Sequence, residues 1–138
     1  MIVLDTNVLS ALMRPDPDNA TRIWLDRQIA ADVYTTAITI LEIRTGIEIL
    51  PESRRRRSLE VSFVAAMAEI ENRILAFDAV AARAAASLVA RRERLGRPIE
   101  YRDMQIAGIV LAQGARLATF NTRHFNDLGI DLADPSAE

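Results

Sequence analysis

The chain has 138 residues, of which half are hydrophobic and 26% are charged, the balance of a folded single domain and not of a disordered or fibrous protein. Its formal net charge of −2 argues against a protein that binds nucleic acid through an overall basic surface, although local basic patches are compatible with it. Because the sequence has no cysteine, disulfides and thiolate metal sites are excluded, and any metal would be bound by oxygen ligands or by the single histidine, His124.

The N-terminal residues form a short apolar run, Ile2 to Leu4, which predicts the first strand and ends at Asp5. This segment lacks the basic start and the long apolar stretch of a signal peptide, and no run elsewhere reaches membrane-spanning length. We therefore expect a cytoplasmic protein with no membrane partner. A short helix is expected from Val8 to Met13, followed by a Pro/Asp-rich loop at residues 14–18.

The remainder of the sequence alternates between helical and strand patterns. The expected helices are Asn19 to Ala30, Ile38 to Leu50, a segment after Ser53 with Leu59, Phe63, Met67 and Ile70 on one stripe, an alanine-rich segment from Asp78 to Leu95, and Arg102 to Gln113. The expected strands are Val33 to Thr36, Ile74 to Phe77 and Leu117 to Thr119. This alternation predicts an α/β fold in which a central parallel sheet of four to five strands is flanked by helices, in one domain spanning residues 1–138.

Three acidic side chains lie near the strand ends of this predicted sheet. Open parallel sheets bind ligands at the carboxyl ends of their strands, at the point where the strand order reverses. Asp5 ends the first strand, residues 119–121 leave the fourth, and Glu42 and Asp103 lie on helices. We therefore expect Asp5, Glu42 and Asp103 to converge at one edge of the sheet.

Two of these acids stand at positions where a bare charge is unfavourable. Asp103 lies in the first turn of its helix, on the same stripe as apolar residues three, four and seven positions later. Glu42 lies in a helix that is apolar on nearly all sides, and the nearby Arg44 points off another face. Burying an unpaired charge costs several kcal/mol, more than a helix terminus offsets. A divalent cation such as Mg²⁺ or Mn²⁺ would neutralise three converging carboxylates.

Each of these residues also has a purely structural interpretation. Asp5 could cap the following helix, Asp103 could be a favourable charge at a helix N-terminus, and Glu42 could pair with an arginine distant in sequence. His124 has no second candidate ligand and no obvious acid partner, so we expect a surface or packing role for it.

Two groups of arginines could either contact RNA phosphates or serve as solvated helix ends. They are residues 54–57, and Arg91, Arg92, Arg94 and Arg97. The alanines at positions 79–86 favour the close approach of a second helix, and Trp24 is expected in the core.

The order and spacing of several short segments resemble those of the PIN-domain ribonucleases, in particular the toxins of VapBC-type toxin–antitoxin pairs and their FitB-like relatives. The resemblance covers nearly the whole chain. The segments that carry it are Leu4 to Val8, Ala37 to Thr39, Glu42 to Arg44 with Gly46, Asp103 with Ile106 and Ala107, and Ala118 to Thr122 with Phe125.

The resemblance implies a function and a set of partners. It assigns Asp5, Glu42 and Asp103 to a Mg²⁺ or Mn²⁺ site that cuts RNA, and it places the Thr6 hydroxyl beside Asp5, where it would orient that carboxylate or cap the helix. The position of Asn121 is often acidic in the family, so the number of metal ions is open. Homodimerisation and silencing by a small antitoxin are implied by the resemblance alone.

Other functions compete with a ribonuclease. A haloacid-dehalogenase-type phosphatase needs a second aspartate two positions after the first, and this sequence has Asn7 there. A DNA-directed nuclease is not distinguished by these residues, because nothing in them reads the 2′-hydroxyl. A catalytically weak or inactive PIN fold that serves as a binding module is the remaining alternative, and Asn121 is the feature that favours it.

Overall fold

A computed structural model describes residues 1–16 and 19–137 of the chain. Within these residues the strands are β1 (Ile2–Leu4), β2 (Val33–Thr36), β3 (Ile74–Leu75), β4 (Arg116–Ala118) and β5 (Asp131–Ala133). They form one parallel sheet in the order β3-β2-β1-β4-β5. The predicted α/β fold with a central parallel sheet is confirmed.

Helices connect the strands and cover both faces of the sheet. In the described part of the chain they are α1 (Thr6–Leu12), α2 (Ala20–Asp26), α3 (Ala37–Glu48), α4 (Arg54–Glu69), α5 (Ala79–Arg94), α6 (Tyr101–Gln113) and α7 (Thr122–Phe125), with a 3₁₀ turn at Ala30–Asp32. None of these helices has the length and apolar character required to cross a membrane.

Several predicted boundaries were wrong. α1 begins two residues earlier than expected, because Asp5 caps it by accepting the Thr6 amide at 2.8 Å. α2 ends at Asp26, short of the expected end at Ala30. β3 is two residues long, and β4 begins and ends one residue before its expected bounds. The expected loop at residues 14–18 is observed at 14–16, and residues 17 and 18 lie outside the described part of the chain.

Two elements were not predicted, the short helix α7 and the edge strand β5. β5 pairs with β4 and supplies the carbonyl of Ala133 to the amide of Thr119 at 2.9 Å. β5 has one large apolar residue, Leu132, between Asp131 and Ala133, so it lacks the apolar run that predicted the equally short β1. The presence of β5 makes β4 an internal strand, so that Thr119 is fully buried.

The core lies on both faces of the sheet. Leu4 belongs to one hydrophobic cluster with residues of α1 to α4, including Trp24, which is 2% exposed as expected. Val3 points to the opposite face and belongs to a second cluster with α5, α6 and Phe125. β1 is therefore buried on both sides, as is usual for a central parallel strand.

The expected close approach of a second helix to the alanine-rich segment is confirmed. Gly108 of α6 lies so near α5 that a Cβ atom built on it would stand 2.6 Å from the Ala81 carbonyl oxygen and 2.7 Å from the Ala85 Cβ. Both distances are too short for a real contact. α5 therefore sets the position of α6, which carries Asp103 in its first turn.

We expect Gly108→Ala to lower the free energy of unfolding by about 1 kcal/mol or more in urea denaturation. Overpacking costs about 1–3 kcal/mol, which exceeds the gain of up to about 1 kcal/mol from replacing a helical glycine. Gly46→Ala is the matched control, because a Cβ there meets nothing within 4 Å. It should stabilise the protein by about 0.5–1 kcal/mol, and an equal gain at both positions would contradict the close packing.

Candidate active site

The candidate site lies at the carboxyl edge of the sheet, between β1 and β4. The strand order reverses here, because the chain continues from β1 to β2 on one side while β4 pairs on the other. Asp5 directly follows β1, Thr119 directly follows β4, and the Asp5 amide donates to the Ala118 carbonyl at 2.9 Å. The structure therefore places both residues at the edge that the strand pattern indicates.

The Asp5 carboxylate is buried and held by donors on two elements. Oδ1 accepts the backbone amide of Thr6 at 2.8 Å, and Oδ2 accepts the hydroxyl of Thr119 at 2.8 Å. Asp5 is 5% exposed, and burial raises the pKa of its carboxyl group, partly offset by these two hydrogen bonds and by the nearby His124. The capping role predicted for Asp5 is confirmed, and it uses only one of the two oxygens.

Glu42 is oriented by hydroxyl groups from α1 and α3. Thr36 begins α3 by accepting the amide of Thr39 at 3.1 Å. The Thr39 hydroxyl lies 3.0 Å from that of Thr6, which donates to Glu42 Oε1 at 3.0 Å. Arg102 approaches Glu42 Oε2 at 3.5 Å, and it is the distant arginine that the structural interpretation of Glu42 requires. This ion pair is half exposed and therefore weak.

Asp103 lies in the first turn of α6, where Glu100 caps the helix by accepting the amides of Arg102 and Asp103. Partial burial raises the pKa of the Asp103 carboxyl group, and the negative charges of Asp5 and Glu100 raise it further, against a lowering by His124. Asp5 and Asp103 are thus close enough for their charges to repel each other.

Two sequence-based interpretations were wrong. His124 does have an acid partner, since its Nδ1 lies 3.1 Å from Asp103 Oδ2, a contact between residues 21 positions apart that no local pattern indicates. The Thr6 hydroxyl contacts Thr39 and Glu42, and the hydroxyl that orients Asp5 belongs to Thr119.

Thr119 is the site residue whose role sequence reasoning missed. Its hydroxyl also accepts the Asn121 amide at 3.0 Å, which fixes the turn that leaves β4. The available signals were its position at the end of a strand and its place in the segment Ala118 to Thr122, which carries the family resemblance. Asn121 itself begins α7 without a side-chain capping bond, and its role stays a prediction.

The donor set fits a hard divalent cation in its chemistry. Asp5 and Asp103 present carboxylate oxygens, and burial raises the pKa of both carboxyl groups, an environment in which a bound cation would favour their charged forms. Among the described residues, no group of three histidine or acidic side chains is arranged to hold a metal ion. The participation of Glu42 in the same set therefore stays a prediction.

Comparison with known proteins gives consistent matches over most of the chain. Residues 2–130 match the family described as PIN domain. The chain is 38% identical to VapC ribonuclease Y4jK of Sinorhizobium fredii, over 98% of this chain and 97% of that protein. It is 32% identical to toxin FitB of Neisseria gonorrhoeae, over 98% of each. The crystal structure of FitAcB from Neisseria gonorrhoeae superposes with a TM-score of 0.90, at 31% identity and with 100% of both chains covered.

We expect Asp5→Asn to raise the free energy of unfolding at pH 7 in the presence of EDTA. The raised pKa of Asp5 means that its charged form is less favourable in the folded than in the unfolded state. This group therefore lowers wild-type stability as the pH rises from its ordinary pKa of 3.8 through the raised value, and the amide variant lacks that loss.

Urea denaturation of both proteins between pH 3 and pH 8 tests this. The gain in the variant should be smallest at the acid end, where the wild-type carboxyl is protonated in both states. A variant that is less stable than the wild type at pH 7 would contradict the account.

Proposed function

Because the chain belongs to the PIN-domain family, we propose that it is a ribonuclease that hydrolyses phosphodiester bonds within RNA and acts as the toxin of a toxin–antitoxin pair. The whole chain, residues 1–138, forms this one nuclease domain. The observation that carries the proposal is the buried Asp5 carboxylate beside Asp103 at the strand-order reversal. A ribonuclease and a toxin are also what the similar proteins from Sinorhizobium fredii and Neisseria gonorrhoeae are named.

The reaction requires Mg²⁺ or Mn²⁺ in this proposal. Asp5 and Asp103 would hold the cation, with Glu42 as a third acid. When bound, the cation polarises a phosphoryl oxygen and lowers the pKa of the attacking water. The Thr119 hydroxyl and the Thr6 amide keep the Asp5 carboxylate oriented in its buried position, and His124 orients Asp103.

The proposal includes partners and a location. The similar protein of Neisseria gonorrhoeae is named toxin FitB, and we extend a cognate antitoxin to this chain on that likeness. Homodimerisation follows from the family resemblance in the same way, and the cytoplasmic location expected from the sequence stays part of the proposal. RNA is preferred to DNA as the substrate because the similar Sinorhizobium fredii protein is named a ribonuclease.

We expect Asp5→Asn and Asp103→Asn each to reduce cleavage of a structured RNA by roughly 100-fold or more, since each removes a carboxylate that would hold the cation at the reacting phosphate. Asp131→Asn is the matched control, because it makes the same change at a 75% exposed carboxylate that begins β5, at the opposite edge of the sheet. Its activity should equal that of the wild type. EDTA should abolish cleavage, and Mn²⁺ should restore it.

A DNA of the same sequence and a binding assay complete this experiment. Full activity in Asp5→Asn or Asp103→Asn would overturn the site. Cleavage of the DNA at the same rate would replace the ribonuclease with a general nuclease. RNA binding by the wild type without cleavage under any divalent cation would assign the chain to the binding modules.

A further inference from the structure

A cavity of about 300 Å³ opens beside the Asp103 carboxylate, and its wall is rich in cationic side chains. Its wall includes Asp103 and His124 together with Arg92, Arg97 and Arg123. Glu42 does not line it, since that acid lines another cavity with Thr6 and Arg102. The nuclease chemistry described above uses Asp103 but assigns no role to these three arginines.

Arg92 is built into the wall of this cavity. Its side chain is 8% exposed, yet it carries a permanent positive charge. One of its terminal nitrogens lies 2.7 Å from the His124 carbonyl oxygen and 2.8 Å from Asp127 Oδ1, so it ties the end of α5 to α7. Its Nε is buried and has no hydrogen-bond partner among the described residues. The protein thus buries a guanidinium group that its own acceptors do not fully satisfy.

The other two arginines leave positive charge at the mouth of the cavity. Arg97 is 58% exposed and reaches Asp127 at 3.1 Å, so that one carboxylate serves both Arg92 and Arg97. Arg123 is exposed and makes no hydrogen bond or ion pair with any residue that the structure describes. The acids in the wall are already engaged, Glu100 by the amides that begin α6 and Asp103 by His124.

We propose that this cavity binds a backbone phosphate of the RNA, the neighbour of the phosphate that is cut, and that Arg123 and Arg97 contact its oxygens. Guanidinium groups match phosphate oxygens in charge and in geometry. Asp103 belongs both to the acid pair and to the cavity wall, so a strand whose reacting phosphate lies at Asp5 and Asp103 continues directly into the cavity. The inference rests on the proposed function, and it adds that a contact to the neighbouring phosphate fixes the position of the RNA strand relative to Asp5 and Asp103.

The test measures RNA binding in an Asp5→Asn background with EDTA present, so that neither cleavage nor metal contributes. Arg123→Gln should weaken binding of a single-stranded RNA roughly tenfold, as expected for one charge-assisted hydrogen bond. The slope of log affinity against log salt concentration should fall by about 0.7, as for one phosphate contact on a single strand. Arg97→Gln should change both quantities in the same direction.

Arg83→Gln is the matched control. Arg83 is an exposed arginine on the same helix, α5, roughly 13 Å along the axis from Arg92. The Arg83→Gln substitution removes the same charge from the protein as Arg123→Gln does, without altering the cavity. Its affinity and its salt slope should equal those of the Asp5→Asn background.

A neutral methylphosphonate placed at single backbone positions locates the contact. The cut site is first mapped with wild-type protein. In the Asp5→Asn background one substituted position next to that cut should weaken binding roughly tenfold. The same RNA should show no further loss with Arg123→Gln, because the contact is already absent.

Three results would overturn the inference, and they are distinguishable. Unchanged RNA affinity and salt slope in Arg123→Gln, with Asp5-dependent cleavage intact, removes the phosphate site and leaves the proposed function standing. If the wild type shows no cleavage that depends on Asp5, both the proposed function and the phosphate site are overturned. If Arg123→Gln keeps its RNA affinity but no longer binds a ten-residue polyglutamate peptide that the parent protein binds, the cavity is a site for an acidic protein segment.

Discussion

The carboxylate of Asp5 is buried at the end of β1, and the arrangement of the site depends on the two donors that hold it there. The amide of Thr6 at the start of α1 and the hydroxyl of Thr119 after β4 each satisfy one oxygen. Because these donors belong to separate elements, both reach the Asp5 carboxylate only when β1 has paired with β4 and α1 has formed. The same burial raises the pKa of the carboxyl group, so the fold keeps an acid in an environment that disfavours its charged form.

The second acid is positioned by helix packing and not by the sheet. Gly108 allows α6 to lie against the backbone of α5, and Asp103 is carried in the first turn of α6. At the other end of α5, the buried Arg92 binds the carbonyl of His124, whose ring contacts Asp103. One pair of helices therefore sets both the distance between the two acids and the shape of the cationic cavity beside them.

The sequence predicted those features whose signals are local. Alternating strand and helix patterns gave the parallel sheet, and short polar side chains before apolar stripes gave caps such as Asp78, which accepts the Ala81 amide. The contacts of Thr119 with Asp5 and of His124 with Asp103 join residues 114 and 21 positions apart. They arise from strand order and helix packing, which no single segment encodes. β5 escaped prediction because Leu132 is its one large apolar residue, which leaves no apolar run to detect.

The central claim is that Asp5 and Asp103 form an acid pair whose repulsion a divalent cation relieves. The free energy of unfolding, measured in urea with and without Mn²⁺ at pH 7, tests it most directly. Binding to the folded state at roughly 100 times the Kd should stabilise the wild type by about 2.7 kcal/mol. Asp5→Asn and Asp103→Asn should show no comparable gain. An equal gain in all three proteins, or none in the wild type, would contradict the account.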